Sequence, residues 1–156
     1  INENKAALYV SDNYLTGIFS PLVTKTFKNE KPAVKLASEI AEMLKEHNRK
    51  FEQKIDFGIS VNSGEIAAEK KDNKLRFTSL GNTLPLAKKI ADLSNKEVLL
   101  SRAAHVRVIP EIKTEKETKQ GTEVYHIKYV AEREKSSRFI QDFLSRQKAE
   151  SFVKQN

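Results

Sequence analysis

A glycine, two cap-type residues and a pair of lysines stand together in the middle of this chain. Gly81-Asn82-Thr83 ends the run Phe77-Thr78-Ser79-Leu80 and opens a segment in which Leu86, Ile90 and Leu93 recur at helical spacing. A helix N-terminus carries partial positive charge and unsatisfied N–H groups. Lys88 and Lys89 follow about one turn later. The ligand such a pattern fits is an anion, a phosphate group above all. Neighbouring helical residues point about 100° apart, so only one of the two lysines can face that group. Asn82 and Thr83 are also ordinary N-cap types, and Pro85 is tolerated because it falls in the first turn. Other chemistries lack their residues. Zero cysteines exclude thiolate metal sites, and His47, His105 and His126 have no partners at metal-ligand spacing. No Ser-His-Asp or Walker-type arrangement is present.

The elements that must position these residues alternate between strands and helices. Ala6–Val10 and Leu15–Phe19 are short apolar runs split by Ser11-Asp12-Asn13, which predicts a β-hairpin; Ser20-Pro21 ends it. Val34, Leu36, Ala37, Ile40, Ala41, Met43 and Leu44 give an amphipathic helix from about Pro32 to Phe51. Ile55, Phe57, Ile59 and Val61 alternate as a strand, Asn62-Ser63-Gly64 is a turn with Gly64 at positive φ, and Ile66-Ala67-Ala68 returns as its partner. A second polar turn, Lys71–Lys74, leads to a strand from Leu75 to Leu80, then the helix from about Thr83 to Leu93. Val98–Leu100 reads as a strand, Ala103–Val108 as a helix, Val124–Val130 as a strand, and about Ser137 to Lys154 as a last helix. The predicted class is α+β, with helices on one face of a sheet.

At 156 residues the chain can bury one core but not two. Charged residues make up 31% and hydrophobic ones 38%, which argues for a globular protein over a disordered one, and no run approaches the roughly 20 apolar residues a bilayer span needs. The start, Ile-Asn-Glu-Asn-Lys, has neither an apolar signal core nor a Met and reads as trimmed. The absence of cysteine fits a reducing, cytoplasmic setting. The net charge of +7 raises the prior for polyanions, yet Lys and Glu are interspersed, as in Lys113–Lys119, which reads as solvated surface. Without an arginine stripe interleaved with aromatics, composition argues against nucleic acid.

Three pieces resemble the class III nucleotidyl (adenylate/guanylate) cyclase catalytic domain. Ala33–Ala37 is similar to a family helix of small and apolar residues. Phe57–Ile66 is similar to the Gly-Ile…Gly-Glu-Val hairpin. Phe77–Thr83 followed by Leu86–Ile90 is similar to the strand–Gly–(Asp/Asn)-Thr–helix motif. Ser11-Asp12-Asn13 before Ile18-Phe19 resembles the hairpin bearing the second metal carboxylate, so the likeness spans about Ser11 to Val108. It implies a ferredoxin-like cyclase sandwich that pairs head to tail, with an extra C-terminal helix here. In active members two carboxylates hold Mg2+ or Mn2+. The ions neutralise phosphate charge and activate the ribose 3′ oxygen of ATP or GTP, releasing pyrophosphate.

Carried over residue by residue, the resemblance implies a nucleotide site at Thr78, Gly81, Asn82 and Thr83, with Thr78 matching an adenine-contacting position. Lys89 stands where the transition-state arginine is expected, without the bidentate fork. Counting back from Phe19 puts Asn13 at the second metal position, with Asp12, the nearest acidic ligand, one residue away. Leu8 or Tyr9 replaces a base-reading lysine, Pro85 a helix asparagine, and Glu69 a glycine. The strand with the first metal carboxylate belongs ahead of the Asp12 hairpin, where only eleven residues stand, so it is absent from this sequence. The reading is a cyclase-homology domain over residues 1–132 and a helical extension over 133–156. The expected role is regulatory or nucleotide-sensing, as a homodimer or with another cyclase-like chain. The alternatives are an active adenylate cyclase completed by upstream sequence or a partner, and a protein- or nucleic-acid-binding adaptor.

Overall fold

A computed structural model describes residues 6–11 and 13–128. Its centre is a four-stranded mixed sheet in the order β3 (Ile59–Val61), β6 (Val98–Leu100), β8 (Thr122–Ile127), β7 (Thr114–Lys119). The β3–β6 pair is parallel and the other two pairs are antiparallel. Two separate two-stranded ribbons complete the strands: β1 (Ala7–Ser11) with β2 (Tyr14–Ile18), and β4 (Ile66–Lys71) with β5 (Lys74–Ser79). The helices are α1 (Pro21–Thr24), α2 (Glu30–Lys50), α3 (Thr83–Leu93) and α4 (Arg102–Val108).

Period-2 alternation on β6 divides the core. Val98 and Leu100 face Val34, Ala37 and Ala41 of α2 and Ala104 and Val108 of α4, together with Val61 and Tyr125. Leu99 faces the other way, onto Ile90 of α3 and Val124. The central sheet is therefore flanked by helices on both faces, not on one as the alternation of elements predicts. Being covered on both sides is why Val-Leu-Leu is uniformly apolar.

The first hairpin, α2, the Lys71–Lys74 turn, α3, β6 and α4 form where the sequence places them. Asp72 and Asn73 both take positive φ (49° and 59°), as a two-residue hairpin turn with the twist of its strands requires. Ile66–Ala68 does not return beside β3. Asn62 donates its side-chain N–H to the Thr83 carbonyl at 2.7 Å, and Gly64 lies against the Thr83 side chain. The chain is steered across the start of α3, and β4 pairs with β5 instead. Gly64 thus serves space; among the described glycines positive φ falls on Gly81 and Gly121. Ile55 is not in the strand, because Asn48 on α2 holds its backbone N–H and C=O, each at 2.8 Å. Ser20 and Pro21 do more than end β2. Ser20 accepts the Leu22 N–H at 3.3 Å, capping α1 with proline at its first position. The polar run from Lys113 to Lys119 contains β7, whose charged side chains protect a sheet edge. The expected boundary near residue 132 and helix over Ser137–Lys154 lie outside the described residues.

One acid anchors the β6 end of this sheet. Partial burial pushes the Glu97 carboxyl up, but the Lys119 ammonium at 2.5 Å, the His126 ring at 2.8 Å and the Asn95 backbone hold it below the ordinary 4.5. A lowered folded-state value stabilises the fold above the carboxylate range, and that contribution disappears as pH falls through it. Wild type should exceed Glu97→Gln in urea midpoint at pH 5, and the two should converge toward pH 3. A gap that stays constant would contradict this assignment.

Candidate functional site

The start of α3 is built from Ser79, Leu80, Gly81 and Asn82. Gly81 takes φ +58° with open space around it, a conformation that suits a residue without Cβ. Asn82 occupies the N-cap position, yet its side chain makes no capping bond. Ser79 caps instead, its Oγ accepting the Leu84 N–H at 3.0 Å. The Thr83 N–H reaches the Leu80 carbonyl at 3.5 Å, and Pro85 has no N–H to offer. The Thr83 hydroxyl lies 3.1 Å from the Leu80 carbonyl and 3.2 Å from that of Glu65. The first-turn donors that a phosphate would use are engaged within the chain. Any anion here is left to side chains.

Lys88 and Lys89 separate as their spacing predicts. Lys88 is half-buried, its ammonium 4.8 Å from the Tyr14 ring centroid and donating to Ser11 Oγ at 3.3 Å. Lys89 is exposed and has no hydrogen-bond or ion-pair partner among the described residues. One turn from Lys88, Asp92 accepts the Tyr14 hydroxyl at 2.7 and 2.8 Å through its two oxygens. Ser11 and Tyr14 of the first hairpin are therefore fastened to α3. The same hairpin is fastened a second time at Tyr9. Its hydroxyl donates to the Leu75 carbonyl at 3.4 Å and accepts the Phe77 N–H at 3.3 Å, plugging the free edge of β5. The rings of Tyr9 and Phe77 meet edge to face at 6.4 Å.

Of the sequence-derived residues, Gly81, Asn82 and Thr83 cluster at the start of α3 and Lys89 lies along the same helix. Thr78 is exposed on β5, opposite Ala67. Asp12 lies outside the described residues. Sequence reasoning missed Tyr9, Tyr14, Ser79 and Asp92. Ser79 carried a signal, being a cap-type residue just ahead of Leu-Gly-Asn. The tyrosine contacts span more than sixty residues of chain and leave no local pattern.

A hard divalent cation asks for several oxygen ligands, carboxylates foremost. Among the described residues no three His, Cys, Asp or Glu side chains converge on one point, and Asp92 is already engaged by Tyr14. The described donors do not fit a two-cation cradle. Among these residues no helix is long and apolar enough to cross a membrane.

No family model matches the chain, and no curated protein matches it. Solved structures do. The non-canonical dimeric guanylyl cyclase domain of the RhoGC fusion protein from the aquatic fungus Blastocladiella emersonii superposes with a TM-score of 0.64 at 18% identity, over 81% of this chain and 72% of that one. The guanylate cyclase domain of RhGC from Catenaria anguillulae, in complex with GTP, gives 0.62 at 19% identity, over 81% and 74%. The adenylyl cyclase CyaB from P. aeruginosa gives 0.54 at 12%, over 81% and 73%. With its strand and helix order on both sides of the Gly81 turn, the chain has the fold of a class III nucleotidyl cyclase catalytic domain.

Proposed function

We propose that this chain is a cyclase-homology domain that senses a nucleotide and regulates by pairing, with a second copy or with another cyclase-like chain. The observation that carries this reading is the state of the α3 site. Its first-turn backbone donors are engaged internally and the described acids form no cation cradle, while Lys89 alone among the site cations stands exposed and unpartnered. Such a site retains a means of attracting phosphate without, among the described residues, the carboxylate groups that would drive cyclisation. Solved structures of this fold with GTP or in a dimer make nucleotide and pairing the classes to test first. Pairing is further supported by the solvent-facing side of the first hairpin, where Val10 is 79% exposed and Leu15 61%, with Leu8 beside them. A cytoplasmic location and a helical extension beyond residue 132 belong to the same proposal.

The test is ATP binding with manganese, followed by chromatography of the products, on wild type and Lys89→Ala. The expected outcome is bound ATP without cyclic AMP, and an affinity reduced about tenfold in the variant, the value of one charge-assisted contact. Cyclic AMP that forms in wild type and vanishes in Lys89→Ala would replace this reading with the active adenylate cyclase. Tyr14→Phe supplies a structural control. Losing the Asp92 contact should lower stability by about 1 kcal/mol in urea unfolding, and an unchanged midpoint would mean the hairpin is not held there.

A further inference from the structure

We propose that the exposed face of the β4–β5 ribbon binds the phosphate chain of a nucleoside triphosphate through Lys71, Lys74 and Arg76. This rests on the nucleotide-sensing reading and names the part of the surface that takes the phosphates.

Register assigns these side chains to one face. Lys71 stands directly opposite Lys74, Glu69 opposite Arg76, and Ala67 opposite Thr78. Side chains two residues apart share a face, so Lys74, Arg76 and Thr78 line up along β5, with Lys71, Glu69 and Ala67 across from them. All six are exposed. Three cations and a single carboxylate therefore share one open face. None of the three makes an ion pair or side-chain hydrogen bond among the described residues. Lys31, Lys45, Lys50, Lys116, Lys119 and Lys128 each have a carboxylate partner, whereas Lys28, Lys70 and Lys89, like the three cations of this face, have none among the described residues.

The placement of Lys71 opposite Lys74 costs stability, because like charges directly across a strand pair repel. An anion between them converts that repulsion into attraction. Two further features select a phosphate chain. The face has no aromatic ring on which bases of a nucleic-acid strand would stack. Thr78, the base-contacting candidate, begins the row that ends at Lys74, about 13 Å along the strand, so base and phosphates of one extended nucleotide can lie on the same ribbon. The backbone donors at the start of α3 are engaged, and the ribbon adds three cations to the single exposed, unpartnered one, Lys89, that α3 carries.

The experiment titrates wild type, K71Q/K74Q/R76Q and the charge-matched control K31Q/K45Q/K50Q with ATP, AMP and inorganic tripolyphosphate by calorimetry. The ribbon variant should bind ATP and tripolyphosphate at least about tenfold more weakly, with AMP unchanged and the control like wild type. Its thermal midpoint should equal or exceed that of wild type, since a like-charge pair has been removed, so weaker binding cannot be ascribed to unfolding. ATP binding that is the same in all three proteins overturns the ribbon assignment and leaves nucleotide sensing standing. Equal losses in the ribbon variant and the control overturn it too, as net charge alone. Ribbon-dependent tripolyphosphate binding with no preference for ATP supports the phosphate face and removes the nucleotide reading. Absence of binding to any phosphate compound overturns both.

Discussion

Gly58→Ala is expected to destabilise the fold by about 3 kcal/mol or more, at the upper end of what overpacking costs. A Cβ at this position would overlap the Ala91 carbonyl oxygen and lie 2.8 Å from that of Ser94 and 3.1 Å from the Ala91 carbonyl carbon. All three are backbone atoms, so no rotamer relieves the contact. They also belong to the end of α3, where the Ala91 carbonyl accepts the Ser94 N–H at 3.1 Å. Either the helix moves away from β3 or the strand leaves β6, and the second would break the Glu97–Ile59 backbone bond. The urea midpoint should fall with an unchanged m-value. Gly17→Ala is the control. Its Cβ meets nothing closer than 3.8 Å and should shift stability by no more than about 0.5 kcal/mol. Equal midpoints for the two variants would mean that α3 is not seated on β3 as described.

Gly58 also shows which parts of the structure could be read from the sequence. Its neighbours Phe57 and Ile59 were legible as apolar alternation. That the backbone pressed against it is α3 depends on packing across some thirty residues, which periodicity does not encode. The same divide runs through the chain. The helix over Thr83–Leu93 was legible because its apolar stripe, its early proline and its preceding glycine agree. β7 was not, since Thr-Glu-Lys-Glu-Thr-Lys is polar on both faces and becomes a strand only by pairing with β8. The separation of Lys88 from Lys89 followed from helical geometry, whereas the capture of Lys88 by Tyr14 and Ser11 required the hairpin to be in place. At the start of α3 the residue types were read correctly as capping chemistry, but the acceptor is Ser79 and not Asn82. Composition cannot rank two cap-type residues three positions apart. The hydrogen bonds do, once Gly81 has turned the chain: Ser79 accepts the Leu84 N–H and the Asn82 side chain makes no capping bond.

Gly64→Ala probes that same corner and is expected to cost about 2 kcal/mol, by a mechanism that a second substitution can reverse. The added methyl would lie 2.5 Å from Thr83 Oγ1, 2.7 Å from its Cγ2 and 3.1 Å from its Cβ. Unlike the atoms facing Gly58, two of these are at the end of a side chain. Rotating Thr83 to turn its small hydrogen toward residue 64 would take the hydroxyl away from the Leu80 and Glu65 carbonyls, and a β-branched residue on a helix has few rotamers to choose from. Thr83→Ala removes both offending atoms and, alone, should cost about 1 kcal/mol for the lost hydroxyl contacts. In the double variant the clash is relieved, so its total cost should fall short of the sum of the singles by about 1 kcal/mol or more. Because Leu80, Gly81 and Thr83 frame the proposed nucleotide site, Gly64→Ala should also weaken ATP binding at temperatures where the variant remains folded, and Thr83→Ala should restore part of that loss. Strict additivity in the unfolding cycle would sever the link between the β3–β4 corner and α3, and with it the claim that this corner sets the shape of the site.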